Sequence, residues 1–278
     1  MKKKIYVISE IGINHNGDMN LAKELIDKSY VSGADAVKFQ KRTINDVYTQ
    51  EELDTPRQSP FGTTNREQKE GLEFNIHQYK ELESYTKGKG LDFIMSCWDM
   101  NSVELVEEHL NIDYHKVASA LLTDAEFLKR LVMTGKPIIL SVGMSNSHQV
   151  AKAMEILGDS VEYILACTST YPTKKEEVNL NSIRVLKADF PHVKAGFSNH
   201  YSGLLGCVGA AAIGSECIEF HITKERGMYG SDQAASIENS YDLIKKIRQM
   251  EIMLGDGKIQ VYDSEVPIVK KLRKNNTI

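Results

Sequence analysis

His200 and His221 each close a short β-rich run, GFSNH and EFH. Imidazoles at the ends of neighbouring strands, about 4.8 Å apart, can reach one point in space. Such a pair suits a divalent metal that keeps open positions for water and substrate. Taken singly, either would be an ordinary hydrogen-bonded histidine, so their shared placement carries the ligand reading. Lys38 and Lys116 interrupt the otherwise apolar runs DAVKF and YHKVA. An unpaired buried ammonium is costly, so each lysine needs an anion. Ser96, Ser119, Ser141 and Ser198 fall at the ends of similar runs, and two lysines with several hydroxyls suit a phosphate or carboxylate ligand. An internal ion pair to Glu10 or Glu219 would meet the same need. A lysine in a strand is also a candidate Schiff-base nucleophile. His15, in the segment IGINHNG, is a further site candidate, whereas His77, His109, His115, His148 and His192 lie on helical stretches or at strand starts and read as solvated or structural. Neither GxxxxGK[ST] nor GxGxxG follows a strand, so no nucleotide-phosphate loop is present.

These residues sit on a regular alternation. Eight β-rich runs (4–8, 35–39, 91–97, 114–118, 137–142, 161–167, 192–198 and 216–221) are each followed by a segment of helical periodicity, several of which close on glycine, as at Gly33, Gly88 and Gly135. Several runs are apolar on both faces, as strands between a barrel interior and a helical layer must be. Eight βα units in about 250 residues predict a single-domain α/β protein, a (β/α)8 TIM barrel, with a doubly wound open sheet as the alternative. Residues 1–257 are assigned to the barrel and 258–278 to a short polar tail. The spacing breaks between the second and third runs, where the polar segment 41–75, with Pro56, Pro60 and Gly62, is expected to be a loop over the catalytic face.

The chain has 278 residues, 41% hydrophobic and 26% charged, with a formal charge of −4. This is the composition of a globular protein with a large core, and the charge suggests neither nucleic acid nor an anionic membrane as partner. The four cysteines form no CxxC and read as reduced thiols. The N-terminal apolar run, Ile5 to Ile8, is too short for a signal peptide, and the longest small and apolar stretch, 203–214, is too short for a membrane span. A cytoplasmic location is expected.

The motifs SEIGINHNG (9–17), GADAVKFQ (33–40), KVASA (116–120), GKPIILSVGMS (135–145), CTSTYPT (167–173), GFSNH (196–200) and EFHIT (219–223) resemble the sialic acid synthase family. Its members condense phosphoenolpyruvate with an aldose to give 2-keto-3-deoxy sugar acids. The resemblance implies that phosphoenolpyruvate is held at Lys38, Ser96, Lys116, Ser119, Ser141, Ser169 and Ser198. It implies a divalent metal, Mn2+ or Mg2+, at His200 and His221, and a carboxylate near the reacting carbons at Glu10. Gln40, Tyr171 and Asp232 match sugar-contacting positions, and Asn14, His15 and Asn16 belong to a signature that shapes the same pocket. It also implies a homodimer. The sequence departs from the family pattern at Leu121, a position acidic in many relatives, and at Ser169, where some members carry asparagine. The antifreeze-like C-terminal domain of bacterial relatives is not expected within the tail. A Schiff-base pyruvate aldolase and a non-catalytic barrel binding phosphoenolpyruvate or a sugar acid are the competing readings.

Overall fold

A computed structural model describes residues 4–275. Eight parallel strands close into a barrel: β1 (Tyr6–Gly12), β2 (Ala36–Lys41), β5 (Asp92–Cys97), β6 (Tyr114–Val117), β7 (Ile138–Ser141), β8 (Val161–Ala166), β9 (Lys194–Asn199) and β10 (Cys217–His221). The hydrogen-bonded order β1-β10-β9-β8-β7-β6-β5-β2 follows the chain round and joins its first barrel strand to its last. The observed strands begin or end within two residues of those expected. Helices separate successive strands and pack their apolar stripes on the outside of the barrel. Asp18 caps Met19–Ser32 by accepting from the Asn20 and Leu21 amides, and Gly33, at φ +85°, closes it.

Side chains on a strand alternate between its two faces, so every second residue enters the barrel. At the N-terminal end this places Tyr6, Tyr114 and Tyr163 together. The Tyr6 ring stacks on Tyr163 at 5.5 Å, and its hydroxyl donates to Asp92 at 2.6 Å. The next level is apolar: Ile8, Ala36, Ile94, Ile139, Leu165 and Cys217 form a cluster separate from the larger one between barrel and helices. Two residues further along each strand the interior turns polar, with Glu10, Lys38, Ser96, Lys116, Ser141, Ser198 and Glu219, all buried. The apolar level is the dry floor on which this polar level stands.

The segment between β2 and β5 is not the loop expected. It holds helices Ile44–Val47, Gln50–Asp54 and Asn65–Leu72 and an antiparallel hairpin of β3 (Pro56–Ser59) and β4 (Gly62–Thr64). Thr49 with Glu52 and Thr64 with Glu67 form reciprocal capping boxes that start the second and third of these helices. Gly17, at φ +70°, brings the turn after β1 against this insertion: a Cβ there would lie 2.1 Å from the Gly71 carbonyl oxygen. Beyond the helix Ser240–Met253, the tail contains the short helix Val266–Leu272, which is almost wholly exposed. No helix among the described residues is long and apolar enough to cross a membrane.

Candidate active site

The polar level of the barrel lines a cavity of about 140 Å³ at the C-terminal ends of the strands. Lys38 Nζ lies 2.8 Å from Glu10 and 3.6 Å from Glu219, while Lys116 Nζ lies 4.0 Å from Glu219 and donates to Ser141 Oγ at 2.7 Å. Ser198 Oγ donates to Glu219 at 2.9 Å. The four charges therefore alternate and cancel. Burial works against the charges of Lys38, Lys116 and Glu219, with different results. Glu10 and Glu219 outweigh burial at Lys38 and hold its ammonium above the usual range. Burial wins at Lys116, whose pKa falls despite Glu219. At Glu219 burial is overcome by Lys116 and Lys38, which keep the carboxylate ionised. The pairing foreseen as an internal salt bridge thus exists, and it stands inside the same cavity as the serine hydroxyls.

His200 and His221 stand at the rim, with ring centroids 5.3 Å apart. His200 Nδ1 is 2.7 Å from the Thr168 carbonyl oxygen and so donates, leaving Nε2 as the acceptor that faces the Tyr171 hydroxyl at 2.9 Å. Burial, aided by the neighbouring His221, lowers the His200 pKa to about 3, so the ring is neutral. His221 Nδ1 lies 3.5 Å from Asp232. Ser119 and Ser169 also line the cavity, on either side of Cys167. Gly143 makes room for this trio: a Cβ there would lie 2.4 Å from Ser169 Oγ, 2.7 Å from Cys167 Sγ and 2.9 Å from Ser119 Oγ. At the mouth, Gln40 donates to Glu10 at 2.5 Å and receives a hydrogen bond from Arg42.

A second cavity of about 180 Å³ shares Gln40, Trp98 and Tyr171 with the first and extends between the insertion and the loop bearing Asp232. Asn14 and His15 line neither. Both stand behind the cavity walls rather than in them. Asn14 donates to the Ile222 carbonyl and to Ser236 Oγ, both at 2.8 Å, tying the turn after β1 to the loop that carries Asp232. His15 is buried, stacks on Phe74 at 4.1 Å and accepts from the Gly17 amide, so it supports the insertion from below.

The NeuB family model matches residues 25–259. The mouse N-acetylneuraminate-9-phosphate synthase is 34% identical over 280 residues, covering 99% of this chain and 78% of that protein. The N,N'-diacetyllegionaminic acid synthase of Campylobacter jejuni is 34% identical over 283 residues, covering 98% and 84%. This chain belongs to the NeuB family. The crystal structure of a sialic acid synthetase from Leptospira borgpetersenii superposes with a TM-score of 0.83 at 25% identity, covering 98% of this chain and 93% of that one. Membership places the protein among carbon–carbon bond-forming sugar acid synthases.

Within this NeuB barrel, Glu219 is both the salt-bridge partner that the sequence offers for the lysines and a residue of the cavity wall. Its signal was its position two before His221, on the same inward face of β10. Trp98 and Cys167 also line the cavity and were not singled out. Leu121 lies in the turn Ser119–Leu121 and packs on the core, so no carboxylate enters from that side. Among the described residues, no three His, Cys, Asp or Glu side chains form a closed metal cage. A site with two protein nitrogens and positions left for substrate still fits: the Thr168 carbonyl fixes the His200 tautomer so that Nε2 keeps its lone pair, here accepting from the Tyr171 hydroxyl, and His221 Nδ1 is buried without a hydrogen-bond partner.

Proposed function

We propose that this barrel condenses phosphoenolpyruvate with an open-chain aldose, giving a 2-keto-3-deoxy sugar acid and releasing phosphate by C–O cleavage. The observation that carries this reading is the buried pair Lys38 and Lys116, set among Ser96, Ser119, Ser141 and Ser198 in one cavity with His200 and His221 at its rim. A phosphate bound there draws charge-assisted hydrogen bonds from both ammonium groups, each worth about 1.5–3 kcal/mol. Ser119, Ser141, Ser169 and Ser198 supply neutral donors around it. A divalent ion held by His200 and His221, Mn2+ or Mg2+, supplies Lewis acidity toward the aldehyde oxygen when bound.

Glu10 carries the proton chemistry. Its carboxylate faces the cavity between Lys38 and Gln40, where it stabilises positive charge developing at C2 as C3 attacks the aldehyde. It then accepts a proton from the water that adds at C2. No acidic group stands at Leu121 to share this task. Gln40, Tyr171 and Asp232 orient the sugar at the mouth. The acceptor's identity divides the relatives: the mouse protein is named for a phosphorylated product, the Campylobacter protein for an unphosphorylated acid.

The test is phosphate release in the presence of Mn2+. Release that requires both phosphoenolpyruvate and an aldose, and stops on chelation, supports the reading; no release across a panel of five- to eight-carbon aldoses refutes it. The product mass gives the acceptor's carbon count. One observation favours a second reading, a Schiff-base aldolase: burial lowers the Lys116 pKa, as an amine nucleophile requires. Borohydride trapping of a pyruvate adduct on Lys116 would support it, and loss of activity on chelation would exclude it.

A further inference from the structure

The outer cavity contains two cations without acidic partners. Its charged lining is Arg42, Lys69, Glu73 and Asp232. Glu73 is committed elsewhere: it pairs with Lys41 at 2.7 Å and accepts from the Arg42 backbone amide at 3.2 Å. Asp232 lies 3.5 Å from His221 and accepts from Ser231 Oγ at 3.0 Å. Among the described residues, neither the Arg42 guanidinium nor the Lys69 ammonium has a carboxylate within 4 Å.

Each lies over a π-face, and Arg42 also donates one N–H to the Gln40 side-chain oxygen. Arg42 lies 4.2 Å from the centre of the Trp98 ring, and Lys69 Nζ lies 4.9 Å from that of Tyr48. Arg42 Nε is buried and makes no hydrogen bond. Stacking holds the guanidinium plane flat while leaving N–H donors unused, an arrangement suited to phosphate recognition. Both cations therefore face a cavity that opens from the reacting centre past Gln40, Trp98 and Tyr171.

Building on the condensation proposed above, we infer that Arg42 and Lys69 form a subsite for a phosphate ester on the far end of the acceptor aldose, so that the preferred acceptor is a sugar phosphate. A phosphomonoester carries about −1.5 to −2 charges at pH 7, which matches one guanidinium and one ammonium. A neutral sugar would leave both cations without an anion, and the site then discriminates against it through unmatched polar groups.

The experiment compares kcat/KM for a 2-acetamido-hexose, its 6-phosphate and a hexuronic acid, with the KM for phosphoenolpyruvate as internal reference. The 6-phosphate is expected to be preferred by at least about 10-fold. Arg42→Ala and Lys69→Met are each expected to raise its KM about 10-fold, leaving the reference KM in place. Lys69 sits on a surface helix, so its variant guards against a folding defect in the first. Equal or better turnover of the unphosphorylated sugar overturns the subsite while the condensation stands. Preference for the uronic acid overturns the phosphate class. No release with any acceptor sinks the condensation itself. Calorimetry then decides the subsite alone: binding of the sugar phosphate that is lost in Lys69→Met sustains it, and no binding to the wild type overturns it.

Discussion

Lys38→Met isolates the cost of the charged level inside the barrel. In the wild type, Lys38 Nζ faces Glu10 at 2.8 Å and Glu219 at 3.6 Å. At an effective dielectric of about 20 these attractions are about 6 and about 5 kcal/mol before desolvation is subtracted. Removing the ammonium leaves two buried carboxylates with only Lys116, 4.0 Å from Glu219, to offset them. Breaking a buried pair in this way costs about 3–5 kcal/mol, a large part of the 5–15 kcal/mol typical of a folded domain. The double variant Lys38→Met, Glu10→Gln removes one charge of each sign. It restores neutrality, and Gln40 keeps an acceptor at position 10. Urea unfolding at pH 7 is expected to show the single variant about 3–5 kcal/mol less stable and the double variant recovering more than half of that loss. Phosphate release should be lost in both, since both lack the lysine. A single variant within about 1 kcal/mol of wild type, or a double variant no more stable than the single, would refute the idea that these charges are mutually dependent.

Gly143→Ala puts a methyl group among Ser119, Cys167 and Ser169 without demanding a strained backbone; the KM for phosphoenolpyruvate should rise about 10-fold, against a stability loss of about 1 kcal/mol read in the same urea experiment. Gly17→Ala should instead act on stability, by about 3 kcal/mol or more, because φ +70° and the Gly71 carbonyl both oppose a side chain. His15 is buried neutral, with its pKa lowered to about 3 by burial. The unfolded chain takes up this proton near pH 6.5 and the native protein does not, so stability is full above pH 6.5 and falls by about 1.4 kcal/mol per pH unit between there and pH 3. His15→Asn should flatten the pH 6 to pH 4 dependence of unfolding free energy by about 1.4 kcal/mol per unit, and an unchanged slope would remove His15 from the account.

The inward-facing residues were legible because a strand has a period of two. Lys38, Lys116 and the serines interrupt apolar runs at positions where only a polar cavity would tolerate them. Glu219 obeys the same rule, yet a carboxylate next to two lysines reads equally well as their salt-bridge partner. Only the closed barrel, which brings β10 beside β1 and across from β6, shows it to be both partner and lining. The insertion was harder. Its polarity suggested a loop, but T-x-x-E occurs twice, at Thr49 and Thr64, and each is a helix start that a search for capping boxes would have found. The roles of Asn14 and His15 were not legible, because reach and direction across the top of the barrel depend on loops that meet only in three dimensions.

The division between the two cavities bears on how such a protein changes over generations. The inner cavity is assembled from strand positions whose backbones are fixed by the hydrogen-bonded ring, so a substitution there disturbs chemistry and framework together. The outer cavity takes Lys69 and Tyr48 from the insertion and Ser231 and Asp232 from the loop after β10, segments that the ring does not constrain. Under the condensation proposed above, descendants could exchange one acceptor for another by altering these loops, while the half of the reaction assigned to the inner cavity would be inherited unaltered.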